Sequence, residues 1–172
     1  LPQRPTDIKG VDEAVYLHLR KPKVSRTMPR VFRNEYFSLR FFPQDHHVSR
    51  FRKSNVAYTF SNRGGYKLND KILEESLNKY KGKYRSLNYF RENLQPLHTA
   101  FGRTTYRKFI KKCLFNSLHK HTKTQLDFEK VSGVFRFMFN LVPGTSEERQ
   151  IIKQDMDRCI QRVLSPAFEK EL

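Results

Sequence analysis

The chain has only two cysteines, Cys113 and Cys159, no apolar run near the length of a membrane span, and no acidic residue between positions 93 and 124. Each shortage excludes something. Two cysteines are too few for a disulfide framework, and each falls on the apolar side of a predicted helix, so buried reduced thiols are expected. Without a run approaching the ~20 apolar residues a bilayer requires, no spanning helix is expected. A merely solvated face normally mixes signs, so a basic stretch with no acid in it excludes simple solvation as a sufficient account of its charge. Also missing is a glycine-rich phosphate loop of either common spacing; Gly64-Gly65 reads as a flexible turn.

Sites for chemistry are equally scarce. The histidines stand apart at positions 18, 46, 47, 98, 119 and 121. His119 and His121, with Cys113 upstream, superficially suggest metal ligands, but helical positions two apart point away from each other and a fourth ligand is missing. Asp155 and Asp157 bracket Met156 on a helix and read as solvated. No serine, cysteine and histidine arrangement carries a nucleophile-and-base signature. The expectation is therefore no enzyme, no metal, no cofactor and no small-molecule substrate.

What the chain does have is positive charge, 34 Lys and Arg against 17 Asp and Glu, and it is unevenly placed. Residues 1–65 carry 13 basic and 5 acidic side chains, residues 66–124 carry 14 and 4, and residues 125–172 carry 7 and 8. The excess stops near Thr124. So many cations repel one another in a compact state unless an anion neutralises them.

Residues 1–65 contain prolines at 2, 5, 22, 29 and 43. Proline removes a backbone donor and disfavours helix in the residue before it, so this stretch reads as an extended arm. Within it, 12–19 could form a short helix, and 31–42 and 56–60 are strand-like, enough for a short β-hairpin. From position 66 a helical domain is expected. Asn69 or Asp70 caps a helix ending near Gly82, and Ser86 caps a second ending before Pro96. A third starts at Thr104 or Thr105 and runs to about His119, with Tyr106, Phe109, Ile110, Cys113 and Leu114 on one face and cations on the other.

Thr124 with Asp127, and Thr145 with Glu148, match the capping box. The first box opens a segment through Val142. Its Val134–Phe139 part also reads as a strand, but its length and cap favour helix. The second opens an amphipathic helix through Ile152, Met156, Cys159, Ile160 and Val163. The expected fold is mainly α: a bundle of about four or five helices behind a long basic arm.

The candidate nucleic-acid contacts are Arg26, Arg30, Arg33, Arg40, Arg50, Arg52, Lys53 and Arg63 in the arm. Lys81, Lys83 and Arg85 follow a helix end, and Arg103, Arg107, Lys108, Lys111 and Lys112 line the basic helix. Arginine forks bind phosphate, and the aromatics between them can stack on bases. Ile152, Met156, Ile160 and Val163 are the candidate protein contacts.

This build, an extended basic arm joined to a small helical domain, is similar to that of ribosomal proteins, especially mitochondrial ones. It implies a non-enzymatic ribosomal component with residues 1–124 on rRNA and 125–172 on neighbouring ribosomal proteins. A free-standing nucleic-acid-binding regulator or organelle nucleoid protein is the alternative. The opening Leu1-Pro2, in place of methionine, reads as a removed transit peptide and predicts the mitochondrial matrix, with cytoplasm or nucleus as the alternative.

Overall fold

A computed structural model describes residues 1–11, 30–61 and 100–172. Among these residues lies a five-stranded mixed sheet with helices against it, which corrects the expected mainly α bundle and extended arm. The strands are β1 (Lys9–Gly10), β2 (Arg30–Arg33), β3 (Phe37–Pro43), β4 (Val56–Ser61) and β5 (Gly133–Phe139), in the order β1-β4-β5-β3-β2. The helices are α1 (Ala100–His121), α2 (Gln125–Val131), α3 (Ser146–Leu164) and α4 (Pro166–Glu171). The helices expected over 12–19, 69–82 and 86–94, the Gly64-Gly65 turn and the boundary at 65–66 lie outside the described residues.

The decisive departure is β5. The helix opened by the Thr124–Asp127 box stops at Val131, and Ser132 takes extended backbone as its cap. Phe135, Phe137 and Phe139 alternate with Val134, Arg136 and Met138. On a helix, residues two apart are turned by roughly 200°, so the three rings could not share a face; on a strand they do. β5 runs antiparallel to β3 and parallel to β4, pairing Phe37, Leu39 and Phe41 with Phe139, Phe137 and Phe135. The strand-like segments 31–42 and 56–60 are thus strands, but β5 separates β3 from β4. The hairpin that does form is β2–β3.

One sheet face carries these phenylalanines into a single buried cluster with Ile110, Leu114 and Leu118 of α1 and Ile152, Met156 and Ile160 of α3. Burying a side chain of this size stabilises by about 1.5–3 kcal/mol, so the β3–β5 ring pairs and the two helices dominate the packing. Ile152, Met156, Ile160 and Val163, expected on a partner, are 0–4% exposed inside this chain's own core. The Thr145–Glu148 box is formed as expected, with Glu148 Oε2 accepting from Thr145 N. On the opposite sheet face, Val11, Phe42, Val48, Ala57 and Val134 make a smaller cluster under the 3-10 turn His47–Phe51. The Ser49 hydroxyl holds that turn by donating to Phe42 O (3.0 Å) and Pro43 O (2.7 Å).

Candidate functional site

The basic face expected on the third helix is real, and its position follows from the periodicity of α1. Tyr106, Ile110, Cys113, Leu114, Ser117 and Leu118 are buried, while Arg107, Lys108 and Lys112 are exposed and Lys111 is half-buried. Cations in the last turn, His119, Lys120 and His121, complement the helix dipole.

α1 runs back along β4. The Arg107 guanidinium lies 5.1 Å from the Phe60 ring centroid and the Lys111 ammonium 5.9 Å from that of Tyr58. The match is geometric: four helical residues advance about 6 Å and two strand residues about 6.6 Å. Strand β1 adds Lys9, one register position beside Tyr58. Burial, and then the nearby charges of Lys9 and Lys108, push the Lys111 ammonium below its ordinary pKa. Among the described residues no carboxylate forms a salt bridge with Lys9, Arg107, Lys108, Lys111 or Lys112. Here the fold crowds cations without crowding any acid.

A second basic feature is different in kind. Arg30, Arg40 and Arg136 stand side by side across β2, β3 and β5 on the face away from α1, with Thr59 of β4 next in register. Like charges directly opposite are destabilising. However, Arg40 and Arg136 both have partners, and Arg136, only 5% exposed, donates to Met138 Sδ at 3.0 Å. These two are tied into the sheet.

Of the other expected contacts, Arg30, Arg33, Arg50 and Lys53 are exposed. Arg52 is half-buried, its Nη1 donating to Asn55 O at 3.4 Å. Arg26, Arg63, Lys81, Lys83 and Arg85 lie outside the described residues, as does the Arg103 side chain. The fold joins Arg107, Lys108 and Lys111 and leaves Arg50, Arg52 and Lys53 on a separate loop. Sequence reasoning missed Lys9, since only the β1–β4 pairing brings it to α1. It also missed Arg136, whose signal is the single cation in the Phe135-Phe137-Phe139 alternation.

The groups that might suggest catalysis are committed elsewhere. Cys113 and Cys159 are buried and free, and burial pushes the Cys113 thiol up to about 11. Ser117 donates its hydroxyl to Asp157, not to a histidine. Among the described residues no group of three or more His, Cys, Asp or Glu is placed to hold a metal. No helix there is long and apolar enough to cross a membrane.

Asp157 is not solvated as the sequence suggests. It clamps α3 to α1, accepting from Lys120 Nζ at 2.7 Å and lying 3.4 Å from His121 Nε2. Burial raises its pKa, but the hydrogen bonds from Lys120 and Ser117 outweigh this and hold it below the ordinary 3.8. A depressed carboxylate pKa stabilises the fold above the unfolded-state value, and that contribution disappears as pH falls through the folded one. Urea midpoints measured across acid pH should therefore drop less steeply for Asp157→Asn than for the parent chain. Parallel curves would contradict the clamp.

Comparison with known proteins identifies the class. A family model described as mitochondrial protein PET130 matches residues 1–132. That span includes β1–β4, α1 and α2 and stops before β5. Protein PET130 of Saccharomyces cerevisiae is 28% identical over 100 residues, which are 58% of this chain and 28% of that protein. The alignment thus spans little more than a quarter of the curated relative. No solved structure matches. These matches establish a mitochondrial protein, as expected, and correct the ribosomal expectation. The matching family is PET130, not a ribosomal protein, and RNA binding through residues 1–124 has no support in it.

Proposed function

The chain belongs to the PET130 family of mitochondrial proteins, and we propose that it is a non-catalytic peripheral protein that docks the outward face of α1 on an anionic phospholipid surface. One observation carries this reading: Arg107, Lys108, Lys111 and Lys112 line one face of a straight helix and have no acidic partner among the described residues. A headgroup plane asks for charge density along a rod and little shape complementarity, which is what such a face offers. The large apolar side chains exposed among the described residues are Leu1, Phe51, Leu126, Ile151 and Leu172, none of them on α1. The contact is therefore electrostatic, at headgroup level, and not an insertion.

Flotation with phosphatidylcholine vesicles, with and without cardiolipin, tests it. The chain is expected to float only with the anionic vesicles and to be released by salt, because exposed charges are screened beyond about 10 Å at 0.1 M. Each cation near an anionic surface contributes about 1 kcal/mol, so Lys108→Gln with Lys112→Gln should weaken binding by roughly 30-fold. Equal flotation with neutral vesicles, or none with either, would overturn the proposal.

A further inference from the structure

We infer that Lys9, Lys108 and Lys111, backed by the Tyr58 ring, form a phosphate-binding site at the β1 edge of the sheet. The inference deepens the docking reading and rests on it only for where the phosphate comes from.

Three features set this spot apart from the rest of the basic surface. The first is convergence from separate elements. Lys9 comes from β1, Lys108 and Lys111 from α1, and Tyr58 from β4, which pairs with β1. A stripe of solvated lysines on one helix has no such arrangement. The second is partial desolvation: Lys111 is half-buried over an 8%-exposed tyrosine, with two cations as its near neighbours. Its stem is held by packing, so it cannot simply swing out to water as a surface lysine does. The third is the absence of a protein counter-ion: acids are missing from residues 93–124, and no carboxylate among the described residues pairs with these lysines.

The chemistry of the cluster selects its ligand. Three ammonium groups are point charges with rotatable donors, suited to an anion that offers several oxygens in different directions. A phosphate carries about −1.5 to −2 charge and three acceptor oxygens, whereas a carboxylate offers two oxygens in one plane. The Tyr58 hydroxyl has no hydrogen-bond partner among the described residues and adds a neutral donor at the floor of the site. A lipid headgroup and free phosphate share this chemistry, and the experiment separates them.

The intact chain, labelled at lysine Cε, is titrated with pyrophosphate and inorganic phosphate and followed by NMR. Lys9, Lys108 and Lys111 should shift saturably, while Lys130, paired with Glu169 at 3.4 Å, should not. With ligand bound, Lys111 should titrate nearer its ordinary 10.5, because the anion offsets its cationic neighbours. Loss of one charge-assisted contact should raise Kd by roughly tenfold. Lys111→Met should show this, and so should Lys9→Gln, an exposed change that leaves the packing intact.

Release of the chain from cardiolipin vesicles by pyrophosphate would assign the site to the headgroup. Saturable binding without release would assign it to free phosphate. Flotation that fails while pyrophosphate still binds would remove the docking role and keep the site. Small, non-saturating shifts of every lysine, Lys130 included, would overturn the site, even with vesicle binding intact.

Discussion

Gly133→Ala is expected to destabilise the protein by roughly 3–5 kcal/mol, combining backbone strain with a clash that cannot relax. Gly133 opens β5 with φ at +155°, a region L side chains rarely adopt. A Cβ there would overlap the carbonyl oxygen of Phe42 and stand 3.1 Å from the Phe41 ring. Neither neighbour can yield. Phe42 O belongs to the adjacent strand, in which Pro43 pairs with Gly133 and Phe42 with Val134. The Gly133 N–H also anchors the other side of β5, donating to Asn55 O at 2.9 Å.

The substitution therefore strikes the point where the chain leaves α2 and enters the centre of the sheet. Urea unfolding of the purified variant should show the loss directly. A change below about 1 kcal/mol would mean that this turn is not the constraint on β5 that its backbone implies.

The same residues explain why the fold was only partly legible in the sequence. α3 was readable because its signals agree: Thr145 and Glu148 close a box, and Ile152, Met156, Cys159, Ile160 and Val163 recur at helical spacing. α1 was readable for the same reason. Over Thr124–Val142 two true signals competed. The Thr124–Asp127 box begins a helix, but a capping box says nothing about where that helix ends. The end is marked by Ser132-Gly133 and by the period-two phenylalanines. Ring pairing with β3, such as Phe41 on Phe135 at 4.8 Å between centroids, then commits the segment to a strand. That energy is tertiary and leaves no local trace in the sequence.

Inserting β5 between β3 and β4 also turned an apparent extended arm into most of a sheet. The candidate site divides the same way. Arg107, Lys108 and Lys111 follow from helical periodicity alone. Lys9 and Tyr58 join them through a strand pairing that no spacing rule encodes.

Asn34→Ala is expected to cost about 3 kcal/mol, because one side chain satisfies three partners at the joint between the hairpin and α3. Its Oδ1 accepts from Tyr36 N (2.8 Å) and Phe37 N (2.7 Å), and its Nδ2 donates to Asp155 Oδ2 at 2.7 Å. Asp155 is 6% exposed, so losing that donor leaves a buried carboxylate with only Arg158 Nη1, at 3.2 Å, beside it.

Asn34→Asp separates the two roles. It keeps an acceptor for the turn amides but sets two carboxylates face to face. One of them must then have a raised pKa in the folded state. A group raised on folding binds its proton more tightly in the native protein, so stability increases as pH falls through that value. Urea midpoints of Asn34→Asp should therefore rise between about pH 7 and 5, while those of Asn34→Ala stay flat over the same range. Flat behaviour in both would mean that the turn amides alone account for Asn34. A rise only in the aspartate variant would show that the Asn34–Asp155 bond fixes α3 against the β2–β3 hairpin.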